Sequence, residues 1–194
     1  MKFKSELSKL TTEGRNQATL NIDTSSTTEI VTLITQEDHE VLAAVQREIP
    51  KIVEAADLLT EVLKRGGRIL YMGAGTSGRL GVLDVAELFP TFGVREDQFK
   101  ALIAGGHQAM FVPVEQAEDD QEGGLTDFLA ENPRPIDALL GITASGRTPY
   151  VLAPLKRAND MGLVTIGLTC NGNSELSKLA DVTIAPIVGP EVVT

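Results

Sequence analysis

The chain has 194 residues, of which 42% are hydrophobic, with a formal net charge of −10 and a single cysteine. Its length fits one domain, with or without a helical extension, and its acidic balance argues against nucleic acid as a partner. The lone Cys170 excludes an internal disulfide, no apolar stretch approaches the length of a membrane span, and the N-terminus lacks the apolar core of a signal peptide. We therefore expect a cytoplasmic protein that contacts neither membrane nor nucleic acid.

Residues 1–26 are polar and predict either a tail or an arm that docks elsewhere on the protein. A helical region follows, because apolar residues recur at spacings of three and four: Val45, Ile49, Ile52, Ala56, Leu59 and Leu63. Pro50 predicts a break near Ile49, and Gly66-Gly67 ends the region.

From residue 68 onward, short apolar runs alternate with glycine-containing loops and with segments long enough for helices. The predicted strands are Arg68–Met72, Lys100–Ala104, Ala138–Ile142, Leu163–Leu168 and Val182–Ile187. This alternation is typical of a parallel sheet covered by helices on both faces. We predict a three-layer α/β fold with a five-stranded parallel sheet. The chain divides into an N-terminal helical arm (1–66) and a sheet domain (67–194), or alternatively forms one compact unit.

Two glycine-containing loops directly follow the first and third predicted strands. Loop one is residues 73–79 (GAGTSGR) and loop two is residues 143–148 (TASGRT). Each combines hydroxyl side chains with a glycine and leads into a predicted helix, an arrangement that binds anions through backbone N–H groups and hydroxyls. Two such loops on neighbouring strands predict a site for one phosphorylated ligand at the carboxyl edge of the sheet.

Loop one also matches the dinucleotide-binding pattern G-x-G-x-x-G. That pattern expects an acidic residue at the end of the second strand, where this chain has Ile103 to His107 and no carboxylate. A Walker loop is excluded because no lysine follows the glycines. Taken alone, loop one fits a tight strand-to-helix turn equally well.

The carboxylates leave several alternatives open. Asp84 and Glu87 lie three residues apart on the helix after loop one, and a second acidic run extends from Glu115 to Glu122. A solvated helix face accounts for most of these side chains, although a pocket with two carboxylates would supply a general acid and a general base. The two histidines and one cysteine have no metal-site spacing, and His107, at a strand end, is a candidate pocket residue.

Several longer motifs together resemble one family of sugar isomerase (SIS) domains, the N-acetylmuramic acid 6-phosphate etherases. The matching segments run in order along the chain: 12–16 (TEGRN), 73–81 (GAGTSGRLG), 84–87 (DVAE), 90–94 (PTFGV), 104–106 (AGG), 115–119 (EQAED), 144–150 (ASGRTPY) and 187–194 (IVGPEVVT). Their number and order are more specific than either glycine loop.

This resemblance implies a lyase that cleaves the D-lactyl ether of N-acetylmuramic acid 6-phosphate, giving N-acetylglucosamine 6-phosphate and D-lactate in cell-wall sugar recycling. The family's two catalytic glutamates match Glu87, as proton donor to the leaving lactate, and Glu118, as the partner acid/base. By analogy with SIS domains, the 6-phosphate is bound by Gly75, Ser77, Thr143, Ser145, Gly146 and Thr148, with Thr76, Arg147 and His107 as further pocket candidates. The resemblance implies a homodimer, with no metal and no cofactor.

Three positions depart from the family pattern. Leu88-Phe89 replace the usual Cys-Pro, His107 replaces a glutamate, and Thr143 replaces the more frequent alanine. The family also continues for roughly a hundred residues beyond the position of Thr194, about the size of a small domain, and these include a Lys-Ala-Gly-Thr-type motif near the site. The resemblance therefore covers the family's N-terminal and central part and lacks its C-terminal portion.

Two other functions stay open from the sequence. One is an aldose–ketose phosphosugar isomerase, which needs a base positioned for enediol chemistry. The other is a non-catalytic phosphosugar-binding regulator. The two glutamates favour the etherase, and the shorter chain favours the regulator.

Overall fold

The structure is a computed structural model that describes residues 14–193. Thr12, Glu13 and Thr194 of the family motifs lie outside the described residues. From Gly14 onward, the polar N-terminal segment docks on the rest of the chain, since the Thr19 hydroxyl donates to the carbonyl of Val192 at 2.8 Å and the Asn16 side-chain amide donates to Glu37 at 2.6 Å.

Five parallel strands form one sheet in the order β2-β1-β3-β4-β5. The strands are β1 (Ile69–Gly73), β2 (Phe99–Ile103), β3 (Ala138–Ile142), β4 (Val164–Leu168) and β5 (Val182–Ile184). The predicted number of strands and their parallel direction are confirmed. The last strand is shorter than predicted because the residues after Ile184 bond to the N-terminal helices: the Ala185 N–H donates to Glu48 at 2.9 Å.

Six helices accompany the sheet in the described part of the chain: α1 (Thr27–Arg47), α2 (Ile49–Lys64), α3 (Gly75–Phe92), α4 (Gln121–Ala130), α5 (Pro149–Met161) and α6 (Glu175–Leu179). Side chains of a strand alternate between the two faces of a sheet, so the two core clusters identify the layers. Leu139 packs with Val151 and Leu155 of α5, whereas Leu140 packs with the cluster around Ala55 of α2. Helices therefore cover both faces, as predicted.

The predicted break at Pro50 is confirmed, since α1 ends at Arg47 and α2 begins at Ile49 with Pro50 in its first turn. Only part of the apolar stripe seen in the sequence packs on the sheet. Leu59 of the stripe packs with the cluster around Ala55, whereas Ile49 and Ile52 are exposed. The N-terminal helices thus leave apolar side chains in solvent.

A buried carboxylate connects the starts of β1 and β3. Asp137 is fully buried and accepts hydrogen bonds from the backbone N–H groups of Arg68 and Arg134, both at 2.9 Å. The two guanidinium groups form ion pairs with it at 2.8 and 2.7 Å. This cluster fixes the end of the sheet opposite to the glycine loops.

Candidate active site

The strand order places the two glycine loops side by side. In the order β2-β1-β3, the chain reverses its direction of winding between β1 and β3, and ligands of open α/β sheets bind at such a switch point. Gly73, the last residue of β1, pairs with Ile103 of β2 on one side and with Ile142 of β3 on the other. Loop one, loop two and the segment after β2 therefore begin at one edge of the sheet.

Loop one brings the start of α3 against the end of β1. A side chain at Gly78 would place its Cβ 2.7 Å from the Gly73 carbonyl oxygen and 2.7 Å from a side-chain carbon of Ile103. Only glycine permits this close approach, which directs the N-terminus of α3 toward the switch point.

Loop two is held by hydroxyl contacts and by a left-handed glycine. Thr143 is buried, and its hydroxyl contacts that of Thr148 at 2.7 Å and that of Ser145 at 3.3 Å. Gly146 has a φ of 68°, and a Cβ there would overlap Ser174 and lie 2.9 Å from the Thr169 hydroxyl. The structure thus gathers the three predicted hydroxyls of this loop into one cluster.

The helices that follow the two loops begin without side-chain caps. Ser26, Asp120 and Ser174 cap α1, α4 and α6 through their side chains. By contrast, the side chains of Ala74 and Thr148 make no cap hydrogen bond at α3 and α5. At α3 the first N–H groups have no partner within the helix, which leaves donors and a positive dipole end for an anion. The start of α5 leaves fewer donors, because Pro149 has no N–H and the Val151 N–H donates to the Thr148 carbonyl at 3.0 Å.

A cavity of about 210 Å³ joins loop one to the second acidic segment. Its lining includes Gly75 and Arg79 from the start of α3, Ala104 after β2, and residues 113–118. Glu118 lies on a short 3-10 turn (Ala117–Asp119) that follows Gln116, a non-glycine residue with a φ of 62°. The structure therefore brings Glu118 beside the N-terminus of α3.

Glu87 does not line this cavity. It lies on the exposed face of α3, twelve residues after Gly75, which corresponds to about 18 Å along the helix axis. It shares a stripe with Thr76, Leu80, Leu83 and Pro90, spaced by four and three residues. Both leucines are more than half exposed, at 58% and 56%.

The three further candidates take different positions. Thr76, the second residue of α3, and Arg147, in loop two, are both exposed. The Arg147 backbone N–H donates to the Ser145 hydroxyl at 3.3 Å. His107 is exposed, packs near Phe111 with ring centroids 5.5 Å apart, and lines a separate cavity of about 380 Å³ with Tyr150 and Asp127. The structure thus does not bring His107 into the cavity of Glu118.

The sequence analysis did not indicate a hydrogen bond between the buried Tyr150 and the half-buried Asp127. The Tyr150 hydroxyl donates to Asp127 of α4 at 2.6 Å and lies at the start of α5, two residues after Thr148. Burial, together with the hydrogen bond to Asp127, raises the pKa of Tyr150. Tyr150 and Asp127 line a larger cavity of about 560 Å³ together with residues 114–117. Neither loop one nor Glu118 lines that cavity. The two hydrogen-bonded partners are 23 residues apart, and no sequence spacing indicates their contact.

Within residues 14–193, the structure contains no cluster of three or more His, Cys, Asp or Glu side chains suited to a metal ion. None of the helices in that range is long and apolar enough to cross a membrane.

The chain is similar to known proteins over most of its length. A family model described as glucokinase regulatory protein N-terminal SIS domain matches residues 51–159. The N-acetylmuramic acid 6-phosphate etherase of Clostridium beijerinckii is 50% identical over 188 residues, and that of Photorhabdus laumondii is 49% identical over 192 residues. The alignments cover 97% and 99% of this chain but 62% and 64% of the relatives, so the chain spans less than two thirds of their length. The resemblance derived from the motifs is confirmed.

Solved structures establish the fold. The phosphoheptose isomerase GmhA from Neisseria gonorrhoeae has a TM-score of 0.63 and 19% identity, covering 81% of this chain and 83% of that one. The Escherichia coli CFT073 protein c3406 has a TM-score of 0.55 and 22% identity, covering 87% of this chain and 78% of that one. The predicted three-layer α/β architecture of SIS type is therefore confirmed.

Proposed function

The chain belongs to the family described as the glucokinase regulatory protein N-terminal SIS domain, and from this premise we propose that it acts as an N-acetylmuramic acid 6-phosphate etherase. The observation on which this rests is the meeting of an uncapped helix N-terminus, a basic side chain and Glu118 in one cavity, while a cluster of three hydroxyls follows the neighbouring strand β3. An etherase of a phosphosugar needs an anchored phosphate and a proton-transferring group at the same edge of the sheet.

The phosphate is bound by loop two in this proposal. Its hydroxyls at residues 143, 145 and 148 satisfy one another when no ligand is present and turn to the phosphate oxygens when it binds. The open N–H groups at the start of α3 add donors, and we assign the Ser77 hydroxyl in the first turn of that helix to the phosphate as well. No basic side chain is needed to bind the phosphate at such a site.

The chemistry is an elimination followed by a hydration. A base takes the proton from C2, the C3–O bond breaks, and lactate leaves with the ether oxygen, which an acid protonates. Water then adds across the C2–C3 double bond, with its oxygen on C3 and a proton returned to C2, to give N-acetylglucosamine 6-phosphate. Each step exchanges protons with carboxyl groups and exchanges no electrons, so the proposed reaction needs no redox cofactor.

We assign the acid role to Glu87 and the partner acid/base role to Glu118, and the two reach one substrate through a homodimer. The exposed stripe of α3 suits a second copy of the same helix, because Leu80 and Leu83 are otherwise left in solvent. If a two-fold axis passes near Leu83, antiparallel α3 helices pair residues four before and four after it. Glu87 of the partner subunit then lies beside Arg79, which lines the cavity of Glu118.

The direct test is release of D-lactate from N-acetylmuramic acid 6-phosphate by the purified chain. We expect Glu87→Gln and Glu118→Gln to abolish release while phosphosugar binding persists. The matched controls are Asp84→Asn, one turn before Glu87 on α3, and Asp119→Asn, next to Glu118; both remain active. Tight binding of the phosphosugar without lactate release by the unaltered chain would instead favour the regulator.

The shared site has its own test. Mixing the two inactive variants and letting subunits exchange forms mixed dimers with one intact and one doubly altered site, so about a quarter of the activity returns for a site shared between subunits. No recovery would place both glutamates within one subunit and contradict the α3 pairing. Leu83→Asp is expected to give a monomer in size-exclusion chromatography. We further propose that the protein is cytoplasmic and binds neither a membrane nor nucleic acid, as its composition predicts.

A further inference from the structure

Arg79 is a basic side chain that lines the proposed catalytic cavity but that neither the glycine-loop nor the glutamate assignments use. It lies in the first turns of α3 and is half-buried. Its Nε donates to the carbonyl of Met110 at 3.3 Å, which turns the guanidinium toward the segment that follows β2. Gly75 and Glu118 line the same cavity.

The guanidinium has donors left for a ligand. A guanidinium has five N–H donors, and the contact with Met110 uses one of them. Among residues 14–193, the ion pairs involve Lys51, Lys64, Arg68, Arg95 and Arg134, and Arg79 pairs with no carboxylate there. A half-buried arginine in a cavity, without a counter-ion from its own subunit, is suited to a planar anion bound by two parallel hydrogen bonds.

The size and position of the cavity distinguish between the two anionic groups of the proposed substrate. At about 210 Å³ the cavity is smaller than the range of about 300–1,000 Å³ typical of whole-ligand sites, so it takes one part of the sugar phosphate. The phosphate already has the hydroxyl cluster of loop two. The other anion is the lactyl carboxylate, which is separated from the breaking C3–O bond by two covalent bonds and must therefore lie near the proton-transferring group.

We propose that Arg79 binds the carboxylate of the D-lactyl group and thereby selects the ether substrate over its sugar-phosphate product. This assignment rests on the proposed etherase function. The guanidinium orients the ether oxygen toward the acid and balances the negative charge that develops as lactate leaves. N-acetylglucosamine 6-phosphate has no carboxylate, so after the reaction Arg79 no longer contributes to binding the sugar, and the product is released more easily.

The experiment compares two ligands by isothermal titration calorimetry, each on the chain with Glu118→Gln so that the substrate is not consumed. In this background Arg79→Ala is expected to weaken binding of N-acetylmuramic acid 6-phosphate about 10- to 100-fold, the usual effect of losing charged hydrogen bonds. Binding of N-acetylglucosamine 6-phosphate should change less than twofold, which also shows that the variant is folded. Arg79→Lys should restore only part of the loss, because lysine lacks the planar pair of donors.

Arg95→Ala is the matched control, because Arg95 is exposed and paired with Asp97 outside the cavity; it should alter neither affinity. Equal weakening of both ligands by Arg79→Ala would overturn the assignment and give Arg79 a role in binding the phosphate or in holding the fold. Unchanged binding of both ligands would overturn it as well. If the chain without the Arg79 change binds neither sugar phosphate, the proposed function itself fails, an outcome that is distinct from the two preceding ones.

Discussion

Replacing Asp137 by asparagine tests whether one buried carboxylate holds β1 and β3 together below the candidate site. Asp137 precedes β3 directly and accepts hydrogen bonds from backbone and guanidinium groups of Arg68 and Arg134, at distances from 2.7 to 3.3 Å. Asparagine keeps the shape of the side chain but removes the charge, and its NH₂ group faces donors instead of accepting from them.

The pKa of Asp137 sets the magnitude of the expected effect. Burial by itself raises this pKa, but the hydrogen bonds from Arg134 and Arg68 outweigh burial and lower it from 3.8 to about 2. Since a tenfold change in an equilibrium corresponds to about 1.4 kcal/mol, the charge contributes about 2 kcal/mol to the free energy of unfolding. The substitution also leaves Arg68, whose side chain is 18% exposed, without its counter-charge. We therefore expect a total loss of about 3 kcal/mol, or about 6 to 12 °C in Tm for a chain of this size.

The assay is urea unfolding of the unaltered chain and of Asp137→Asn at pH 7, 5, 4 and 3. Because the pKa is lower in the folded than in the unfolded state, the charge stabilises fully above about pH 5, and this stabilisation is lost as the pH falls through 4 toward 2. The difference between the two proteins should therefore narrow by about 1 kcal/mol between pH 5 and pH 3, which is about half of the contribution of the charge. The control is Asp97→Asn, since Asp97 forms an exposed ion pair with Arg95; its unfolding midpoint should not move. A loss at pH 7 no larger than that of the control, or one that stays constant down to pH 3, would refute the reasoning.

Three other substitutions test the surroundings of the site. Gly146→Ala should displace loop two and abolish phosphosugar binding in calorimetry, whereas Gly172→Ala, where an added Cβ meets nothing closer than 3.7 Å, should bind normally; equal binding by both would contradict the need for a left-handed residue in loop two. Ser145→Ala should raise KM about tenfold with little change in kcat, because the hydroxyl binds the phosphate equally in the ground and transition states; an unchanged KM would exclude loop two as the phosphate site. Tyr150→Phe should lower the free energy of unfolding by about 1 to 2 kcal/mol in thermal or urea unfolding, because Asp127 loses a 2.6 Å hydrogen bond in a buried setting; a variant as stable as the original would mean that water replaces the hydroxyl.

The strands were predictable because their apolar runs are short, are buried from both sides and end at glycine or polar residues. Ala138–Ile142 is predicted and observed with the same bounds. The end of β5 could not be predicted, because it depends on Glu48, which is 137 residues away and takes the N–H of Ala185. Asp137 was missed for the same reason, since its contact with Arg68 spans 69 residues.

The helices show a different limit of the sequence. Periodicity indicates that α2 has an apolar stripe, but it does not say how much of the stripe packs on the sheet. Leu59 packs with the cluster around Ala55, although Ile49 and Ile52 of the same stripe stay exposed. The extent of packing depends on where the sheet lies relative to the helix, which local spacing does not encode.

For the candidate site, the two loops and their common edge followed from residue types and from the expected parallel direction of the strands. The choice of Glu87 and Glu118 among the acidic residues came from the family resemblance, because spacing left many carboxylates equivalent. The structure adds that Glu118 lies beside the start of α3, whereas Glu87 lies on a surface of the same helix. These residue roles stay predictions, and the position of Glu87 is the reason that the proposed site requires a second subunit.

The acidity of the chain constrains how such a site works. With a net charge of −10, the protein as a whole repels an anionic sugar phosphate, so affinity must come from charges closer than the screening length of about 8 Å. The N-terminus of α3 and the guanidinium of Arg79 supply positive charge at the edge of the sheet, and Glu115 and Glu118 in the lining of the same cavity oppose it. A sugar bearing a phosphate and a carboxylate brings about −3, which is more negative charge than either loop two or Arg79 can offset by itself. The proposed division of the two anionic groups between loop two and Arg79 is therefore the arrangement that an acidic chain of this kind requires.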